Sequence, residues 1–391
     1  MQENMATFYE FFAGGGLVSA ALTPQWSCLF ANDVNPVKAA AYSANFESHC
    51  FVEGDMRGIT LDELPGHPEL VWASFPCQDL SVAGPKAGIS GKRSGLIWPF
   101  LKIMKDMAEQ GRRAPFIILE NVVGTLTSNN GKDYAALLEA IVNLGYRVAP
   151  FEVNASLFVP QSRPRLFIVC FAAELEFPQD MLLDGPTELF ASKAILKADK
   201  FLSDHTREHR VWIGLPSPVA RTTTLSDILE PDDAVTWKST LFTTKLLDSM
   251  SATHAAHVKA AILSGGRKIG TVFRRTRMTK DRGREVRAEV RFDGVAGCLR
   301  TPSGGSSKQL VLVIENGDVK SRFMTPRECA RLMGLSESYR LPSNDTAALH
   351  ITGDGVVVPV VQHLVQHCVE PMLTSLHRRD EGNRPTASSR R

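Results

Sequence analysis

From Thr7 to about residue 175 the chain alternates short apolar runs with amphipathic stretches, and this alternation leaves few architectures open. Thr7 to Phe12 is apolar and aromatic and ends in "AGGG"; Leu17 to Leu22 has helix-forming composition. "WSCLFAND", "HCFVEGD" and "ELVWASF" read as further strands. "PVKAAAYSANF" is an amphipathic helix with Pro36 near its first turn. Leu96 to Met107 repeats apolar residues at helical spacing, and "DYAALLEAIVNLG" is a helix that Gly145 would end. "PFIILENV" is apolar without alternation, as a strand covered on both faces must be. "YRVAPFEVN" and "PRLFIVCF" are expected to pair as a hairpin. The fold class is therefore α/β, with a mostly parallel sheet flanked by helices.

The pattern breaks after about residue 175. With 391 residues the chain suits two domains. We expect a first domain over residues 1–178 and a smaller, loop-rich one over 179–320. Residues 321–376 return to the first domain, and 377–391 form a polar, disordered tail. "TPRECARLMGL" is a helix with Thr325 as cap, Pro326 in its first position and Glu328 three residues after the cap. Between Arg267 and Arg291 lie ten basic and three acidic residues, a local balance of +7 in a chain of net charge +2, which leaves −5 for the remainder. Such a block predicts a face for a polyanion. No stretch is apolar enough for a membrane span, and the N-terminus lacks a secretory pattern. The seven cysteines are scattered and never form C-x-x-C, which argues against a disulfide framework or a zinc site and for a reducing cytoplasm.

Glycines 14, 15 and 16 lie between a strand and a helix, where glycine permits a sharp turn and close approach of a ligand. Asp33 ends the second strand and can accept both hydroxyls of an adenosyl ribose. Asp55 ends the third, placed to meet an adenine amino group. A dinucleotide fingerprint would need glycine where Ser19 stands, and no phosphate-loop lysine pattern is present. The cofactor expected is S-adenosylmethionine, which has no pyrophosphate to cradle.

Beside a methyl donor, the thiol of "FPCQDLS" acquires a role. Carbon 5 of cytosine is a poor nucleophile until a thiolate, here Cys77, adds to carbon 6. Glu120, at the end of "PFIILENV", is placed to engage ring nitrogen 3. Arg163 and Arg165 in "PQSRPRLF" supply local positive charge. The ordered set "FFAGGG", "FPCQDLS", "ENV" and "PQSRPR", followed by "RFDGVAGCLRTPSGGSS", "MTPRECARLMGL" and "GDGVVVPVV", resembles the cytosine-5 DNA methyltransferase family of the prokaryotic restriction-modification type.

That resemblance implies a Rossmann-like S-adenosylmethionine-dependent methyltransferase fold with a smaller target-recognition domain. It implies methyl transfer to a flipped-out cytosine in a specific double-stranded DNA sequence through a covalent cysteine adduct. The catalytic residues it points to are Cys77, Glu120, Arg163 and Arg165. The cofactor contacts are Phe12, Gly14, Gly16, Asp33, Val34, Asp55, Met56, Pro76, Asn121, Gly355 and Val356. Gln78, Ser81 and Arg93, in a loop closing on DNA, contact the duplex together with Gln161. Arg274, Arg275 and Arg277 of the basic block supply base and phosphate contacts. A cognate restriction endonuclease without a stable complex, a monomeric state, and no metal or membrane complete the expectation. The chain departs from the family where Leu157 and Phe158 replace a tyrosine and a glycine, and where Asp354, Gly355 and Cys298 replace asparagine, serine and threonine. A tRNA cytosine methyltransferase and a non-enzymatic DNA-binding regulator on the same scaffold are the alternatives. An amino-group methyltransferase would need an Asp/Asn-Pro-Pro-aromatic motif at the fourth strand. The His254/His257 and His363/His367 pairs have helical spacing but lack the carboxylate of a metalloprotease motif, and are read as inert, not as metal ligands.

Overall fold

The computed structural model describes residues 5–76, 94–278, 283–302 and 308–373. Cys77, Gln78, Ser81, Arg93 and the tail lie outside the described residues. The first domain contains β1 (Ala6–Phe11), α1 (Leu17–Leu22), β2 (Trp26–Asp33), α2 (Pro36–Asn45), β3 (Phe51–Glu53) and β4 (Leu70–Ala73). It continues through α3 (Ile97–Glu109), β5 (Phe116–Val122), α4 (Lys132–Asn143), β6 (Tyr146–Asn154) and β7 (Pro164–Ala172). The seven strands form one sheet in the order β3-β2-β1-β4-β5-β7-β6. The pairings among β1 to β5 are parallel, whereas β7 runs antiparallel to both β5 and β6. Phe116 to Asn121 are all buried, which accounts for the unbroken apolar run of "PFIILENV". Trp26 and Trp72 are both buried in this core.

The order reverses direction between β1 and β4, so the loops leaving their carboxyl ends diverge and open a crevice, the usual ligand position in open α/β sheets. The loop after β1 carries the three glycines, and the one after β4 runs through Phe75 and Pro76 toward Cys77. Asn35 caps α2, accepting from Val37 and Lys38, with Pro36 in the first turn. That cap fixes the side of the crevice on which Lys38 lies.

Beyond the sheet come β8 (Leu182–Leu183), α5 (Lys193–Ala198), α6 (Asp204–Glu208), β9 (Trp212–Ile213) and α7 (Leu225–Ile228). The second unit comprises α8 (Thr240–Asp248), α9 (Ala252–Leu263), β10 (Lys268–Met278), β11 (Arg284–Arg291), β12 (Leu310–Glu315) and β13 (Asp318–Phe323), with antiparallel strands in the order β11-β10-β12-β13. Leu246, Val258, Val272, Val290, Leu310, Leu312 and Ile314 make its core. The expected boundary at residue 179 needs correction. Met181, Phe190, Ile195, Leu202, Ile213, Leu225 and Ile228 all pack into the first core. The side chains of β12 divide by alternation: Leu310, Leu312 and Ile314 face the small core, Val311 and Val313 the large one.

The chain then re-enters the first core through α10 (Pro326–Leu332), α11 (Asp345–Asp354) and α12 (Val358–Leu364). Thr325 and Glu328 form the expected capping box on α10. The helical run Asp345–Leu373 is long and apolar enough for a membrane span by length and composition, contrary to the reading of the bare sequence. Its apolar window is 72% buried inside the protein, so core packing accounts for its composition.

Candidate active site

A cavity of about 690 Å³ opens at the carboxyl edge of the sheet. Phe12, Gly14, Asp33, Val34, Asp55, Met56, Pro76, Glu120, Asn121, Arg163, Arg165, Gly355 and Val356 all border it. The structure therefore brings together residues that the sequence scatters over more than three hundred positions. Gly16 is not among the bordering residues.

The glycine loop is built on left-handed backbone: Phe12 has φ 58°, Gly14 φ 58° and Gly16 φ 78°. The three glycines serve different ends. A Cβ on Gly16 would lie 2.5 Å from Phe46 and 2.7 Å from Tyr42, and one on Gly15 2.6 Å from Ile351. Packing against protein therefore requires glycine at both positions; Gly15 also borders the cavity, and Gly16 does not. A Cβ on Gly14 would meet only the Lys38 stem, at 4.0 Å, so this glycine presents bare backbone to the cavity. The Asp33 carboxylate accepts from the Gly14 and Asn35 amides, each at 2.9 Å, which clamps the loop to β2. Tyr339, which no local motif singled out, donates its hydroxyl to the Gly15 carbonyl at 2.6 Å.

Glu10 is buried and accepts from the Val18 and Ser19 amides and the Ser19 hydroxyl. Burial pushes its carboxyl up to about 8 despite those donors. Asp55 pairs with Arg57, and that guanidinium holds its carboxyl down to about 2. Asn32 donates to the Val52 and Gly54 carbonyls at 2.8 and 3.0 Å, setting the turn on which Asp55 stands. Lys38 makes an ion pair of 2.8 Å with Asp354, the residue where asparagine was expected. Burial lowers the Lys38 ammonium, but Asp354 and Asp33 outweigh it and the net shift is upward.

At the other end of the cavity Glu120 is buried and pairs with Arg165, Oε1 to Nε 3.1 Å. Asn121 donates to the Phe75 carbonyl at 3.1 Å and accepts from the Val122 amide at 2.8 Å. It thus ties the end of β5 to the loop that leads to Cys77. Arg163 donates from its two terminal nitrogens to the Leu299, Gly353 and Gly355 carbonyls, at 2.9, 2.9 and 2.7 Å, while its buried Nε finds no partner among the described residues. It thereby braces the segments around residues 299 and 353–355 while bordering the cavity. Cys298 sits against both guanidiniums, 3.5 Å from Arg163 and 3.9 Å from Arg165. Burial raises its thiol, but Arg163, Arg165 and Arg300 prevail and hold it below the ordinary value.

Gln161 must be corrected from a DNA contact to an internal brace. It is fully buried, donates to the Leu332 carbonyl at 2.8 Å and accepts from the Leu299 amide at 3.0 Å. The basic block is the β10–β11 hairpin, but its three named arginines do not share a face. Arg275 and Arg277 both pair with Glu289. Arg274, one residue out of step, lies over the Phe323 ring at 5.8 Å. Phe158 needs no glycine-like backbone, having φ −117°, and packs edge-on against His363, whose Nε2 lies 3.0 Å from the Pro216 carbonyl. Among the described residues, one group has metal-ligand character, the exposed His205 and Glu208 with the half-buried His209, on and after α6; none of the three borders the cavity.

The residues present fit an adenosyl ligand. The volume lies within the usual ligand range, Gly14 offers bare backbone, Val34 stands 65% exposed as an apolar platform, and two carboxylates mark separate strand ends. A seven-stranded sheet of this order, with one reversed strand and this cavity, has the S-adenosylmethionine-dependent methyltransferase fold. Among solved structures, the S. pombe Dnmt2 methyltransferase matches with a TM-score of 0.58 at 17% identity, over 94% of this chain and 99% of that one. Residues 6–370 match the profile of the C-5 cytosine-specific DNA methylase family. Type II methyltransferase M.DsaV of Dactylococcopsis salina is 27% identical, over 94% of this chain and 86% of its own. Type II methyltransferase M.HhaI of Haemophilus parahaemolyticus is 24% identical, over 91% and 92%. The chain belongs to the C-5 cytosine-specific DNA methylases and is a DNA (cytosine-5-)-methyltransferase.

Proposed function

We propose that the protein methylates carbon 5 of a cytosine flipped out of a specific double-stranded DNA sequence, through a covalent adduct with Cys77. The observation that carries this reading is a single cavity joining Gly14 and Asp33 at one end to the Glu120–Arg165 pair at the other, beside Pro76. S-adenosylmethionine, when bound there, supplies an electrophilic methyl group. Gly14, Asp33, Val34, Asp55 and Met56 would hold its nucleoside.

Asn121 fixes the Phe75 carbonyl and hence the base of the loop that presents Cys77. The Cys77 thiolate adds to carbon 6 of the ring, forming the S–C bond. Glu120, oriented by Arg165, faces nitrogen 3 and holds the proton that neutralises the added charge. Carbon 5, made nucleophilic by that addition, would take the methyl group; loss of its proton then breaks the S–C bond and expels the thiolate, and the nitrogen 3 proton returns to Glu120 as the aromatic ring is restored in 5-methylcytosine. Flipping costs a few kcal/mol of unstacking and unpairing. The arginines of the β10–β11 hairpin would supply phosphate and guanine contacts that offset it. We further infer a monomer acting in the cytoplasm, with any cognate endonuclease separate.

The test supplies labelled S-adenosylmethionine with duplex DNA and tRNA side by side. Label in DNA alone, and covalent trapping on 5-fluorocytosine duplex that Cys77→Ser abolishes, is the expected result. Folded, cofactor-binding protein that labels tRNA but no DNA would overturn the substrate assignment. Trapping that survives Cys77→Ser would remove the nucleophile.

A further inference from the structure

The Lys38–Asp354 pair is unusual for where it lies. Lys38 comes from the first turn of α2 and Asp354 is the last residue of α11, so the 2.8 Å contact joins two helices far apart in sequence at the cavity wall. Both residues border that cavity. The lysine stem passes over Gly14, a glycine that borders the cavity and whose built Cβ would meet nothing else. Its ammonium also feels Asp33, the carboxylate at the expected ribose position. Asp354 stands between Gly353 and Gly355, whose carbonyls hold Arg163, the neighbour of the Glu120–Arg165 pair. The ion pair therefore occupies the stretch of cavity between the nucleoside end and the reacting end. Its exposure is uneven, 17% for the Lys38 side chain and 45% for that of Asp354.

A sulfonium cofactor has a zwitterionic amino-acid end, with an α-ammonium and an α-carboxylate on one carbon. Resting on the S-adenosylmethionine reading above, we propose that Lys38 and Asp354 are the charge-reading residues for that end: on binding, Lys38 meets the α-carboxylate and Asp354 the α-ammonium. A partly exposed pair contributes little by itself, so opening it costs little. The two new charge-assisted contacts form deeper in the cavity and outweigh the one released. The exchange is neutral overall, because an ion pair receives a zwitterion. Before the ligand arrives, the same pair bridges the opening above Gly14. A ligand lacking one of the two charges leaves one protein charge without its partner, which penalises it selectively.

Calorimetric titration of the full-length protein with S-adenosylmethionine, its decarboxylated analogue and its deaminated analogue tests this without turnover. Wild type should bind S-adenosylmethionine about tenfold or more tighter than either analogue, the range expected of one charge-assisted contact. Lys38→Met should lose most of the discrimination against the decarboxylated analogue while keeping that against the deaminated one. Asp354→Asn should do the reverse. Lys38→Gln repeats the comparison with a smaller perturbation, should Lys38→Met fail to fold. If both variants weaken all three ligands by the same factor, the pair is only a brace between α2 and α11 and the proposal falls. If wild type binds none of the three, the cofactor reading fails and this proposal with it.

Discussion

The buried pair Arg322–Glu328 gives the sharpest quantitative test of how the two units are joined. Arg322 ends β13 of the small sheet, and Glu328 caps α10 in the large core. Their side chains are 1% and 0% exposed and meet through two parallel contacts of 2.8 and 2.6 Å. Glu328 also accepts from the Thr325 and Glu230 amides, at 2.9 and 2.8 Å. Arg322→Met would leave a carboxylate in the interior with only those two amides, and removing one partner of such a pair costs about 3–5 kcal/mol. Glu328→Leu should cost at least as much, since it strands a buried guanidinium and two amide donors. The double variant removes both charges but still strands the amides, at about 1–3 kcal/mol each. It should therefore cost well below the sum of the single changes, with a coupling of at least about 2 kcal/mol. Because two units need not unfold together, native-state hydrogen exchange in low urea, read on peptides from β13 and α10, is the suitable assay. Strict additivity of the two substitutions, or a loss under about 1 kcal/mol for Arg322→Met, would refute the reasoning.

Three further outcomes follow from the site. Glu10 binds its proton more tightly in the folded protein, with a carboxyl near 8 against an ordinary 4.5. The folded state thus holds more protons between those values, and wild-type stability should fall as pH rises from about 4.5 through 8; Glu10→Gln should flatten that slope in urea titrations across pH. Gly16→Ala should lower the melting temperature more than Gly14→Ala. Both positions have positive φ, but only the former drives a methyl into Tyr42 and Phe46. Arg165→Lys should reduce single-turnover methyl transfer about 100-fold with little change in cofactor affinity, because lysine cannot reproduce the Nε contact that orients Glu120; an equal rise in cofactor Kd would point instead to a binding role.

Local physics wrote much of this molecule openly in its sequence. An unbroken apolar run such as "PFIILENV" can only be a strand covered on both faces, and it is. The Thr325-Pro326-Glu328 spacing specifies a helix start because the capping groups lie within one turn of each other. Glycines between a strand and a helix mark a loop with left-handed backbone, although the sequence could not show that Gly16 is held by aromatic packing while Gly14 and Gly15 border the cavity. The fate of polar side chains was not legible, since it depends on partners far along the chain. The sequence marked Gln161 as a DNA contact and Arg163 as a catalytic residue, and did not show that Leu299, Leu332, Gly353 and Gly355 close around them. Met181 to Ile228 lack periodicity because short elements lie one by one against a core already formed. The sequence by itself determined the sheet, the glycine turn and the ordered motifs, because neighbours in the chain suffice for them. Only the tertiary structure decided which charges meet, Lys38 with Asp354, Glu120 with Arg165 and Arg322 with Glu328. Each of those contacts needs two segments that folding brings within 4 Å.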